Sequence, residues 1–107
     1  MQLGAARAAL EIDVRGEFGR PPMDRTPGIA ALFHIAHDVA QSLGFDLSEV
    51  ATGGASDANL CAALGVPVLD GLGAVGGGAH AADEYVVTDR MPAQAALLAG
   101  LIAKLAR

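Results

Sequence analysis

The sequence predicts an α/β fold, a mixed or parallel sheet flanked by helices, and three observations predict it. Short apolar or period-2 stretches alternate with stretches at helical spacing. Two glycine-rich loops, TGGASDAN at residues 52–59 and GAVGGGAHA at residues 73–81, sit in or just after strand-like runs, where the sites of open α/β sheets collect. Finally, apolar residues make up 52% of the chain but aromatics only 4%, so small aliphatics and alanine must fill the core, as they do between packed strands.

The elements follow in order. Within residues 9–18, Leu10, Ile12 and Val14 alternate with Glu11, Asp13 and Arg15, the pattern of a strand with one wet face. GRPPM at residues 19–23 ends it, because two prolines cannot donate to a ladder. Thr26 and Pro27 read as the N-cap and first residue of an amphipathic helix. Its apolar stripe is Ile29, Leu32, Phe33, Ala36, Val39, Ala40 and Leu43, and it stops at Gly44. Residues 49–52 read as a short strand feeding the first glycine loop, and Ser56 or Asp57 can cap a short helix over 58–64 that ends at Gly65. Residues 66–69 read as a buried strand. After the second glycine loop come a last strand over 85–88 and a helix capped by Asp89, with Leu97, Leu98, Leu101, Ile102 and Leu105 in one stripe.

The bulk numbers exclude several function classes. A chain of 107 residues fits one small domain, and its apolar content predicts a globular rather than a disordered chain. The net charge is −5 and Lys104 is the only lysine, which argues against nucleic acid and anionic membranes as partners and leaves small molecules or proteins. The lone Cys61 excludes an intrachain disulfide and a cysteine zinc cage, and reads as inert packing in an apolar helix. No run reaches the length of a membrane span and the start MQLGAARAALEIDV has no leader pattern, so the expected location is cytoplasmic.

Few residues can carry chemistry. His80 follows three glycines, and Asp83 and Glu84 stand within a turn of it. Two readings are open: a surface histidine, or an imidazole placed in a cleft as a ligand or catalytic group. The TGGASDAN loop offers backbone N–H groups to an anion such as a carboxylate, or is simply a tight capped turn; it lacks the lysine of a phosphate-binding loop. Arg20, in a stiff Gly-Arg-Pro-Pro turn, either meets a carboxylate with its fork or is an exposed turn residue. His34 and His37 lie three apart on the first helix, a spacing at which two imidazoles can share a metal, but a solvated helix face is the better reading.

Taken together and in register, GRPPM, TGGASDAN, GVPVLDGLG, GGGAHAADEYV and the last helix resemble the carboxyl-terminal part of the zinc-dependent glutamate carboxypeptidase, aminoacylase and succinyl-diaminopimelate desuccinylase family. The resemblance runs from about Arg15 onward. It implies that residues 1–18 are the last strand of a lid and dimerisation domain and that residues 19–107 are the final segment of a catalytic domain. It implies His80 as a metal ligand, Glu84 beside it, and Arg20 with Gly53, Gly54, Ala55 and Ser56 as the grip on a substrate carboxylate. Ala55 stands where many relatives carry glycine or a hydroxyl residue, so only backbone contacts carry over there. The cofactor implied is zinc, two ions in the intact enzyme, and the substrate is a C-terminal glutamyl peptide or an N-acyl amino acid. The family's other ligands and its general-base glutamate lie upstream: the chain holds no HxD and no Glu-Glu pair. The expectation is therefore a fragment, with no catalytic residue of its own and inactive alone. The rival is a non-catalytic module of the same origin that binds or oligomerises. Open sheet edges predict a homo-oligomer in either case.

Overall fold

The computed structural model describes residues 9–106. Its elements are helix α1 (Pro27–Ser42), helix α2 (Ala58–Ala63), strands β1 (Gly76–Gly77) and β2 (Tyr85–Val86), a 3₁₀ turn (Thr88–Arg90) and helix α3 (Met91–Leu105).

Helix α1 starts and stops where its sequence dictates. Thr26 is extended and its hydroxyl accepts the Ile29 N–H at 3.2 Å, while Pro27 occupies a position whose N–H needs no partner. At the other end Gly44 takes φ +86°, which lets Gly44 N–H reach the Gln41 carbonyl and Phe45 N–H reach the Ala40 carbonyl, both at 3.1 Å. This paired closure satisfies the last carbonyls and turns Phe45 back against the helix. Helix α2 ends in the same way: Gly65 takes φ +80°, with Gly65 N–H on Ala62 at 2.9 Å and Val66 N–H on Cys61 at 3.3 Å.

The core lies between α1 and α3. Ala36, Val39 and Ala40 of α1 and Leu97 and Leu101 of α3 are buried, and Phe45, Leu47 and Leu72 close its rim. The two helices meet at Gly100, where a Cβ would stand 2.7 Å from Val39 Cγ1. The five-residue stripe expected on α3 is therefore two stripes. Leu97 and Leu101, four apart, face α1, whereas Leu98, Ile102 and Leu105 lie about half exposed on the other side. Nor does Asp89 cap α3: Arg90 holds the N-cap position in helical conformation with no side-chain bond, because the 3₁₀ turn already leads the chain into the helix.

The sheet departs further from expectation. Among the described residues it is one two-stranded antiparallel ribbon, Gly76 opposite Val86 and Gly77 opposite Tyr85, lengthened by a bond from Val87 N–H to the Val75 carbonyl at 2.7 Å. The last strand is thus Tyr85–Val86 rather than 85–88. Residues 9–18, 49–52 and 66–69 are not strands. A strand exists only through a neighbour's ladder, and no described segment runs beside these three. Leu10, Ile12 and Val14 accordingly lie about half exposed, and Phe18 is fully exposed. The expected strand boundary at residues 1–18 falls in part on residues 1–8, outside the described residues.

The chain is also less compact than its composition led us to expect. Its accessible surface is 8477 Å², against about 5,500 Å² for a folded monomer of this mass. The radius of gyration is 19.2 Å, where about 13 Å is usual for 100 residues. No helix is long and apolar enough to cross a membrane among the described residues.

A single long-range ion pair ties the approach to α1 to the segment before the first glycine loop. Arg25 Nε lies 2.9 and 3.0 Å from the two carboxylate oxygens of Glu49, and its Nη2 lies 2.9 Å from Oε1. These hydrogen bonds hold the Glu49 carboxyl below its ordinary value, against a smaller opposing effect of desolvation, and raise Arg25 in turn. A depressed carboxyl stabilises above its unfolded pKa, about 4.3, and that contribution is lost as the pH falls through the folded value. Carbon-detected titration should therefore place Glu49 below the ordinary range, and Arg25→Gln should return it there. For the core, Leu97→Ala should cost about 2–5 kcal/mol in urea unfolding, whereas Ile102→Ala should stay within about 0.5 kcal/mol. Equal losses would mean that the core is placed wrongly.

Candidate functional site

The second glycine loop is held from outside and tightened from within. Gln94 of α3 donates to the Gly73 carbonyl at 2.9 Å, which fixes the loop's entry to the helix pair. Inside the loop the three consecutive glycines leave little room for side chains, whereas Gly73 stands in open space. A Cβ on Gly76 would run into the Tyr85 carbonyl across the ribbon, and one on Gly77 would lie 2.8 Å from the Tyr85 hydroxyl and 3.0 Å from its ring. Gly78 takes φ +69° with the Glu84 backbone 3.3 Å from where its side chain would be. Two turns then follow, Ala81 N–H to Gly78 at 2.9 Å and Glu84 N–H to Ala81 at 3.2 Å.

His80 sits inside the first of these turns at φ +66°, the only non-glycine residue with positive φ among the described residues. Left-handed backbone costs an L-residue roughly 1–2 kcal/mol, less for histidine in a turn than for a branched side chain. Strain of this kind gathers where a side chain's position matters more than local stability. The imidazole is exposed, and among the described residues it has neither a hydrogen bond nor an ion pair with Asp83 or Glu84. Glu84 instead lines a shallow groove along the ribbon with Ala74, Gly76, Ala79 and Val86.

The donor set does not make a zinc site by itself. Among the described residues no three His, Cys, Asp or Glu side chains converge where an ion could be held, and a zinc site normally needs three or four protein ligands. His80 can supply one. His34 and His37 belong to no such group either, and their rings lie 5.8 and 6.0 Å from the Phe33 ring, centroid to centroid. His37 stands only at the outer limit of pairing with Asp38 (3.9 Å) and Asp46 (4.0 Å). Cys61, expected as packing, is exposed on α2, because that helix buries none of its residues fully.

The Arg20 turn and the first glycine loop come together, through residues that the sequence reading passed over. Arg20 Nη1 lies 2.8 Å from Asp57 Oδ1, and Asn59 Nδ2 donates to the Pro21 carbonyl at 2.9 Å. Within the loop the Ser56 hydroxyl accepts the Ala58 N–H at 3.1 Å, and the Asn59 side-chain oxygen accepts the Ser56 N–H at 3.0 Å. Asp57 holds the N-cap position of α2 without a side-chain bond, and the reciprocal bonds that resemble a capping box come from Ser56 and Asn59. The Ser-x-x-Asn spacing was the signal that could have found Asn59. Gly53, Gly54 and Ala55 are exposed beside this junction, and α2 is too short for its dipole to matter.

With this geometry in view, comparison puts the chain among hydrolases that cut peptides. More particularly, residues 7–104 match the model of peptidase family M20/M25/M40, and the chain belongs to this metallopeptidase family. No curated protein and no solved structure matches it.

The strain at His80 has a measurable consequence. His80→Gly should stabilise the chain by up to about 1 kcal/mol, because glycine adopts positive φ without penalty, and His80→Val should destabilise it. Denaturant midpoints that rank the glycine variant below the wild type would remove the strain argument.

Proposed function

We propose that the chain is the carboxyl-terminal part of a zinc-dependent amide hydrolase, in which His80 is one metal ligand and Arg20 with residues 52–56 grips the substrate carboxylate. The observation that carries the reading is His80: a solvent-facing imidazole, held at positive φ just after three glycines packed against the facing segment of chain, within a metallopeptidase-family chain. In the same reading residues 1–18 belong to a lid domain and residues 19–107 to the catalytic domain, with Glu84 near the metal. The substrate is a C-terminal glutamyl peptide or an N-acyl amino acid. The contact between the Arg20 turn and the Ser56–Asp57 corner supports a joint carboxylate-binding role for those two segments.

This chain supplies one metal ligand and no general base, so we derive no catalytic step from it. Zinc titration followed by calorimetry should give affinity weaker than micromolar, with no turnover of glutamyl peptides. Tight one-to-one binding that disappears in His80→Ala would overturn the claim that the ligand set is completed elsewhere. In-frame coding sequence upstream of Met1 should carry HxD and Glu-Glu motifs if the reading is right.

A second reading, a non-catalytic module that binds or oligomerises, is favoured by the surface left open. The excess over a compact chain is about 3,000 Å², the size of an obligate interface. Leu98, Ile102 and Leu105 form part of it. Sedimentation should show a dimer or larger species for the isolated chain, and a monomer at all concentrations would remove the oligomerising form of the module reading.

A further inference from the structure

We infer that Asn59 is a positioning residue that holds Arg20 beside the first glycine loop, and that Asp57 occupies the Arg20 guanidinium as an internal carboxylate which an incoming one displaces. The inference rests on the reading of Arg20 as a carboxylate grip.

The side-chain amide of Asn59 is used at both ends. Its oxygen accepts the Ser56 N–H at 3.0 Å and its nitrogen donates to the Pro21 carbonyl at 2.9 Å, a residue 38 positions earlier in the chain. Pro21 is an effective anchor point. Proline fixes its own φ, and a residue that precedes a proline is confined to extended backbone. Arg20 precedes Pro21 and Pro21 precedes Pro22, so both residues are stiff, and one bond to the Pro21 carbonyl orients the whole turn. Arg20 is thereby set at a fixed place relative to the capped corner of the loop.

Asp57 lies at that corner, but its side chain makes no capping bond; those come from Ser56 and Asn59. Its carboxylate approaches Arg20 with Nη1 to Oδ1 at 2.8 Å, and the Asp57 side chain is 90% exposed and that of Arg20 42% exposed. A guanidinium offers five donors and prefers two parallel bonds to a carboxylate. An ion pair this exposed is weak in water. Asp57 therefore holds the guanidinium in place without closing it to a ligand that can pair through both prongs.

The two residues predict effects of opposite sign on one measurement. The ¹⁵N-labelled chain is titrated with L-glutamate while the Arg20 Nε–Hε signal, assigned with Arg20→Lys, is followed. Asp57→Asn should tighten the apparent affinity about two- to five-fold, the range set by an exposed ion pair. Asn59→Ala and Asn59→Asp differ in charge but both remove the donor to Pro21. Each should weaken binding at least two-fold and move the Arg20 signal toward that of a free arginine before glutamate is added, with the α2 backbone shifts retained in the aspartate variant. An Arg20 signal unchanged in both Asn59 variants overturns the positioning role, and an affinity unchanged or weakened in Asp57→Asn overturns the internal carboxylate. A different result marks failure of the underlying reading: if glutamate moves the Arg20 signal in no variant, Arg20 is not a carboxylate grip, and the Asn59 role is still decided by the glutamate-free spectra.

Discussion

The approach of α1 to α3 at Val39 and Gly100 sets the position of everything else in the chain. With no side chain at Gly100, the Val39 methyls come against the α3 backbone. Leu97 packs with Val39 and Ala40 beside that contact, and Leu101 and Ala36 are buried as well. Helices pack at a distance that their contact residues allow, and a Gly and two Ala allow a short one. The same pair then carries the loops. Phe45, folded back by the closure of α1, lies at the rim of the core with the Arg90 guanidinium 5.7 Å over its ring. Gln94 reaches from α3 to the Gly73 carbonyl, and a Cβ on Gly28 at the start of α1 would touch Pro67 at 3.0 Å.

The two glycine loops solve different problems. The loop of residues 73–81 is built around steric exclusion: a ribbon carbonyl, a tyrosine ring and a reversed backbone each forbid a side chain, and the first residue after them that carries a functional group is forced into left-handed backbone. The loop of residues 52–59 is built around hydrogen bonds instead, a reciprocal set whose asparagine has a spare donor for a distant turn. The first arrangement presents one imidazole at a defined place without engaging it. The second presents an arginine already engaged, but weakly.

Much of the apolar surface stays uncovered among the described residues. The period-2 segment of residues 9–18 keeps its apolar residues about half exposed or more, and α3 keeps a second apolar stripe. Both features have the pattern of surfaces made to be covered. Neither finds its cover among the described residues.

What the sequence determined by itself were the features whose causes are local. The Thr26–Pro27 start of α1, its end at Gly44, the short helix before Gly65 and the fifteen-residue helix α3 all depend on side chains within a few positions of each other, and all are present. His80 as the residue to watch was legible for the same reason, from three glycines in a row, although its positive φ was not. The tertiary structure decided what depends on a distant partner. Three strand-like segments are not strands because hydrogen bonds of a ladder must come from another stretch of chain. The α3 stripe divides because only one neighbour packs against it. Arg20 was visible as a candidate, but that Asp57, 37 residues further on, is its partner and that Asn59 bonds the neighbouring Pro21 carbonyl follows only once the chain has folded back on itself.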